Sequence, residues 1–138
     1  MIRFAFEKDL EFLHRHDCHI SLEELRHAVA RRCVLVAEER GALAGWLRYN
    51  LFWDNTPFMN LLYVLEEYRG KGVGKELAAF WEGEMARRGF GVFMTSTQSD
   101  EYAQHFYRKL GYRDVGGFQF PGESFELIFV KEKKDDSL

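Results

Sequence analysis

Cysteine and proline are scarce in this 138-residue chain, at two positions each. Cys18 and Cys33 cannot supply the disulfide framework on which small secreted folds rely, and a chain of this length buries enough apolar surface to fold without one. A reducing, cytoplasmic setting is the expectation. Basic residues bring no surplus: 19 Lys and Arg against 22 Asp and Glu give a net charge of −3, so the counterion-release force behind sequence-independent nucleic-acid binding is missing. Long apolar runs are missing too. No stretch approaches the ~18 residues of a membrane span, and Arg3, Glu7, Lys8, Asp9 and Glu11 break the uncharged segment a signal peptide requires. Neither nucleic acid nor membrane is expected as a partner.

What is present is an ordinary globular composition, 46% hydrophobic and 16% aromatic with 13 Phe and 12 Gly. One core and one domain follow, over residues 1–130, with a charged tail over 131–138 that is expected to fray. Residues 9–32 read as two helical pieces. Ser21 and Glu24 have capping-box spacing at the start of the second, and Leu22, Leu25, Ala28 and Val29 form its apolar stripe. Residues 33–37 and 42–52 read as a hairpin turned at Gly41, and residues 58–65, mostly apolar, as a third strand buried on both faces. A helix over 74–88 ends at Gly89, and a strand follows over 91–97. Ser99 or Asp100 is placed to cap a further helix, whose stripe is Ala103, Phe106, Tyr107 and Leu110 and whose stop is Gly111. Strands over 115–120 and 124–130 flank Pro121-Gly122, a turn dipeptide. The order predicts a single α/β domain of the α+β type, with a mixed central sheet flanked by helices.

The sharpest feature is Tyr68-Arg69-Gly70-Lys71-Gly72-Val73-Gly74-Lys75, between a buried strand and an amphipathic helix. Free amides and the dipole at a helix start attract an anion, and glycines let a phosphate approach the backbone without meeting a Cβ. Arg69, Lys71 and Lys75 add full charges, the arginine fork suiting two phosphate oxygens. A P-loop fails here, since Arg69 stands where its first glycine belongs and Glu76 replaces its metal-binding hydroxyl. A dinucleotide fingerprint fails in both frames, needing glycine at Lys75 or at Leu77. What remains is Arg-x-x-Gly-x-Gly, filled by Arg69, Gly72 and Gly74.

With Val64-Leu65-Glu66-Glu67 in front of it, this block resembles the loop of the GNAT superfamily of acyl-CoA N-acyltransferases, with Glu66 where proline is usual. A second block, residues 100–112, is similar to the helix of that family at Ala103, Tyr107, Lys109 and Gly111, with Asp100 for asparagine and Tyr112 for phenylalanine. The element order over residues 1–130 fits as well. The resemblance implies an N-acetyltransferase using acetyl-CoA as acyl donor. Val64, Leu65, Arg69, Gly70, Lys71, Gly72, Val73, Gly74 and Lys75 would bind it, and a strand-end amide of Val64 or Leu65 would polarise the thioester carbonyl. Tyr107 would be the acid that protonates the departing thiolate, a role a phenol of pKa about 10 can fill; the alternative is a tyrosine in the core. For the base, Glu66, Glu67, Asp54 and His105 all offer acceptors, and Glu66 is favoured for its position at the strand end.

Direct transfer is expected, because neither cysteine lies in the matching blocks. Trp53, Asp54 and Asn55 combine an aromatic surface with an acceptor for a cation, which points to a small aromatic or cationic primary amine as acceptor. The alternatives are a protein or peptide amine, and a non-catalytic module that binds acyl-CoA as a sensor or to recruit a partner. A homodimer stays open. His14, His16, Cys18 and His19 lack a metal-ligand spacing, so no metal is expected.

Overall fold

Three residues at the amino terminus, β1 (Ile2–Phe4), form a strand that the sequence pattern does not announce. The run is too short for periodicity, and its partner lies more than thirty residues away. The remaining elements of the computed structural model, which describes residues 1–134, follow in order: α1 (Leu10–His16), α2 (Leu22–Ala30), β2 (Val34–Glu39), β3 (Ala42–Phe52), β4 (Thr56–Val64), α3 (Val73–Arg87), β5 (Val92–Gln98), α4 (Ala103–Lys109), β6 (Arg113–Phe118) and β7 (Glu126–Glu132). The strands form a seven-stranded mixed sheet in the order β1-β2-β3-β4-β5-β7-β6. β4 pairs in parallel with β5, at Phe58–Met94 and Met59–Thr95, and β5, β6 and β7 pair antiparallel. No helix among the described residues is long and apolar enough to cross a membrane.

Contacts divide the chain into two compact units, one of Met1–Asn50 with Leu61–Trp81, the other of Leu51–Asn60 with the residues from Glu82 onward. In the first unit, β1, β2 and β3 form an antiparallel set in which Val34 faces Arg48 and Ala37 faces Gly45. α1 and α2 pack on it through Leu10, Leu13 and Leu25 against Val34, Val36 and Trp46, with Leu61 and Leu65 at the margin. The Ser21 hydroxyl accepts the Glu24 N–H at 3.1 Å, so the capping spacing does start α2. Arg3 ties β1 down by a bidentate pair with Asp9 (2.9 and 3.1 Å) and a third bond to Glu38 (3.1 Å). Burial pushes the Asp9 carboxyl up, but the Arg3 and Phe6 hydrogen bonds outweigh it and hold the group below its usual value. That contribution to stability is fully present above the ordinary carboxylate value and is lost as pH falls from there through the lowered value of the folded protein.

A second carboxylate lies deeper. Asp17, at the end of α1 and 2% exposed, accepts Arg48 Nε at 2.6 Å and Nη2 at 3.3 Å, with Trp46 Nε1 at 3.2 Å and the His19 amide at 3.2 Å. All four bonds point at one side chain, which fixes the α1–α2 connection on β3.

In the second unit, α4 stands against β5, and β7 lies between β5 and β6. Neither Ser99 nor Asp100 caps α4, contrary to expectation; the helix follows Tyr102 without a side-chain cap. The helix starts three residues beyond Asp100, and the Asp100 carboxylate accepts the Ser124 hydroxyl (2.7 Å) instead. Gly111 takes φ +99° and ends the helix as expected. β7 runs to Glu132, two residues into the segment expected to fray, where Lys131 Nζ reaches Glu82 Oε1 at 2.8 Å. The end of that tail, 135–138, lies outside the described residues.

β4 is also less covered than its composition suggests. Pro57 and Met59 are buried, whereas Asn60 and Tyr63 are exposed. Apolar content alone does not distinguish a covered strand from one that opens to solvent at its end.

Asp17→Ala leaves the Arg48 charge buried without its partner and is expected to cost about 3–5 kcal/mol in urea unfolding. Arg15→Ala, which removes an exposed pair with Glu11, is expected to change stability by less than about 0.5 kcal/mol. Equal effects would show that the buried pair does not anchor the unit.

Candidate active site

The strand-to-helix junction begins where β4 ends at Val64. Its chain continues through a single 3-10 turn, Glu66–Tyr68, then turns at Gly70 (φ +77°) and Gly72 (φ +86°) into α3. Both glycines hold left-handed backbone, which L side chains rarely adopt. A Cβ built at either would have no atom within 4 Å. The loop needs these glycines for its conformation, and their outer sides are open. Glu76 N closes the first helical turn on Gly72 O (3.0 Å), so the amides of Val73, Gly74 and Lys75 lie ahead of the helical ladder. With a 15-residue helix behind them, they have the placement in which a helix start attracts an anion. A recess beside the loop, lined by Glu39, Arg40, Tyr68, Lys71 and Val73, adds Arg40 from the β2–β3 turn to the Lys71 charge. These residues fit a polyphosphate.

Arg69 departs from the expected posture. Its Nε donates to Val64 O at 2.8 Å, and its guanidinium stands 5.3 Å over the Tyr63 ring, so the fork folds back along β4 instead of extending from the loop. The same bond bears on the thioester carbonyl. In the Val64–Leu65 peptide the oxygen accepts from Arg69, and the Leu65 amide donates to Ala44 O at 2.8 Å. Held at both ends, that peptide has no N–H to offer a substrate. Of the two amides expected to polarise the carbonyl, that of Leu65 is engaged with Ala44.

Gly45 on β3 was not among the expected site residues. A Cβ there would stand 2.7 Å from Tyr63 O and 3.3 Å from the Val64 Cα, so only glycine lets β4 lie this close to β3. The signal was available, since an isolated glycine inside a strand marks close backbone approach. For Tyr63 and Arg40 the sequence carried no signal.

In the second unit Tyr107 is buried, 6% exposed, among Tyr112 and Phe129, each 6.0 Å away between ring centroids. Burial pushes its phenol pKa up, and the Glu101 charge adds to the rise. Thr95 Oγ1 donates its one proton to Met59 O at 2.9 Å, which leaves its oxygen to accept. Tyr112 is the contrasting case, for its hydroxyl proton is committed to Glu82 Oε2 at 2.8 Å. The candidate bases fall on three elements. Glu66 and Glu67 are exposed on the 3-10 turn, Asp54 lies on the β3–β4 turn and His105 on α4, against the Tyr102 ring (5.1 Å). On the same turn as Asp54, Trp53 is 79% exposed, and both residues have positive φ, +56° and +64°. Among the described residues no three His, Cys, Asp or Glu converge as metal ligands.

The acetyltransferase (GNAT) family signature matches residues 2–112. The chain belongs to the GNAT family. It is therefore an acyl-CoA-dependent N-acetyltransferase, with acetyl-CoA as donor. No curated protein matches the sequence. Solved structures similar to this GNAT domain include Ard1 from Thermoplasma volcanium, 16% identical, with 98% of each chain covered and a TM-score of 0.86. The ribosomal-protein-alanine N-acetyltransferase of Brucella melitensis is 24% identical over 96% of this chain and 99% of its own, with a TM-score of 0.79. A PaiA N-acetyltransferase from Thermoplasma acidophilum, in complex with coenzyme A, is 20% identical over 96% and 98%, with a TM-score of 0.77.

Two glycines separate the effects of strand packing and anion binding. Gly45→Ala is expected to lower stability by about 1–3 kcal/mol, because β4 must move away from β3. Gly72→Ala is expected to cost only about 1 kcal/mol of backbone strain, yet to weaken coenzyme A binding about tenfold or more in calorimetry. Unchanged affinity in Gly72→Ala would remove the loop as the anion site.

Proposed function

We propose that this GNAT enzyme moves the acetyl group from acetyl-CoA directly to the primary amine of a small molecule. The observation that carries the donor side is the row of amides at the start of α3, fronted by Gly70 and Gly72 with open space beyond them. The pyrophosphate would bind there, with Lys71 and Lys75 supplying charge. The Val64 N–H would polarise the thioester carbonyl, since the neighbouring Leu65 amide is already engaged.

The neutral amine attacks the carbonyl carbon, forming the C–N bond, and the tetrahedral adduct expels the thiolate as the C–S bond breaks. The ammonium proton leaves through water to Glu66, exposed at the strand end. The thiolate takes the Tyr107 proton. Burial raises the phenol pKa, which keeps the proton on the ring throughout the neutral range and makes it a weaker acid; the transfer is driven by the charge that builds on sulfur as the C–S bond breaks. The proton the phenol loses is recovered from solvent.

The exposed Trp53 ring beside Asp54 supports a small aromatic or cationic acceptor. A peptide amino terminus is the second reading, favoured by the similarity to a ribosomal-protein-alanine N-acetyltransferase. A cytoplasmic setting is supported by the low cysteine count, two in 138 residues.

Tyr107→Phe keeps the ring packing and removes the proton. Its kcat is expected to fall about a hundredfold with little change in the KM for acetyl-CoA; a wild-type kcat would rule out the acid role. The acceptor is identified by thermal unfolding with coenzyme A present. A small aromatic or cationic amine is expected to raise Tm further, whereas a rise only with peptide amino termini would favour the second reading.

A further inference from the structure

The geometry points to Tyr63 as a positioning residue for the coenzyme loop, an inference that rests on the assignment of that loop to acetyl-CoA. Tyr63 sits one residue before the end of β4, between Leu61 and Leu65, both packed against the core beneath α1 and α2. Strand alternation turns Tyr63 to that same face. Its ring meets Trp46 at 5.1 Å between centroids. Trp46 in turn is fixed by its indole N–H on Asp17 (3.2 Å), and Asp17 is held by Arg48.

On the other side of the Tyr63 ring stands the Arg69 guanidinium, at 5.3 Å, within cation–π range. Arg69 is not otherwise confined by burial, because it is exposed. The Tyr63 ring and the Val64 carbonyl together define where it lies. That matters because the Arg69 Nε bond to Val64 O (2.8 Å) spans the short turn and ties the loop back to the strand. A loop with two glycines in left-handed conformation has large backbone freedom when untied. Held by Arg69, it presents the α3 amides in one arrangement, and a phosphate binds without the cost of ordering them. The contacts therefore run from Asp17 through Trp46 and Tyr63 to Arg69, with Tyr63 the last rigid part of the support. Its phenol oxygen is not needed for this; its ring is.

The test is a double-mutant cycle read as coenzyme A affinity by calorimetry, with circular dichroism melts to confirm folding. Tyr63→Leu keeps an apolar strand residue and removes the ring. It is expected to raise Kd about fivefold, and to raise the KM for acetyl-CoA in parallel while kcat at saturation stays unchanged. Tyr63→Phe is expected to bind within twofold of wild type. In an Arg69→Ala background, Tyr63→Leu is expected to add no further loss. Tyr63→Val, a strong strand former, serves if the leucine variant does not fold. A wild-type Kd in Tyr63→Leu, a fivefold loss in Tyr63→Phe, or the same loss with and without Arg69 each overturns the platform role. Failure of the wild-type protein to bind coenzyme A is a different result: it overturns the loop assignment itself, and this inference with it.

Discussion

The peptide between Val64 and Leu65 is the fixed point of the candidate donor site. Its oxygen accepts from the Arg69 side chain and its N–H donates to Ala44 on the neighbouring strand. Everything the loop does starts from that anchored plane. Glycine at position 45 lets β3 come close enough to make the bond on one side. Positive φ at Gly70 and Gly72 lets the chain turn within a few residues from strand to helix. The same constraint narrows the chemistry, because an amide already given to Ala44 cannot also stabilise charge on a substrate oxygen.

The support beneath this point is polar and buried. Asp17 and Arg48 lose their hydration, and an ion pair in such a place is not by itself a source of stability. What the pair does supply is direction. Four donors converge on one carboxylate, so the α1–α2 connection, the Trp46 indole and the strand that carries them take one relative arrangement. An apolar contact of the same size would leave the Trp46 ring freer to rotate. Exposed pairs such as Arg15 with Glu11 have no comparable effect, since water screens them.

Two tyrosines of the second unit show how surroundings separate packing from chemistry. Tyr112 and Tyr107 are neighbouring buried rings, and burial pushes both phenols up. Tyr112 donates its hydroxyl hydrogen bond to Glu82, which also receives Lys131, so it is part of a closed structural group. Tyr107 faces a threonine whose own proton has gone to Met59 O. The sequence could offer the two roles of Tyr107 only side by side, as core residue and as acid; its buried ring shows the first, and the second stays a proposal.

The Arg-x-x-Gly-x-Gly spacing, the helix behind it and the Tyr107 stripe are local patterns, and the sequence alone determined them because backbone conformation and periodicity act over a few residues. Thus Gly111 has the positive φ that a helix stop demands, and Ser21 caps the helix it precedes. Choices among competing partners were different. Asp100 had a helix start and Ser124 within reach, Leu65 and Val64 were equivalent as amides, and Arg69 could extend to an anion or fold onto Tyr63. Strand β1 had no pattern of its own at all. Each of these was decided by a residue far along the chain, or by a neighbouring backbone whose position no local pattern encodes. Tertiary structure settles them because one donor or acceptor can satisfy only the partners that folding brings within about 3 Å.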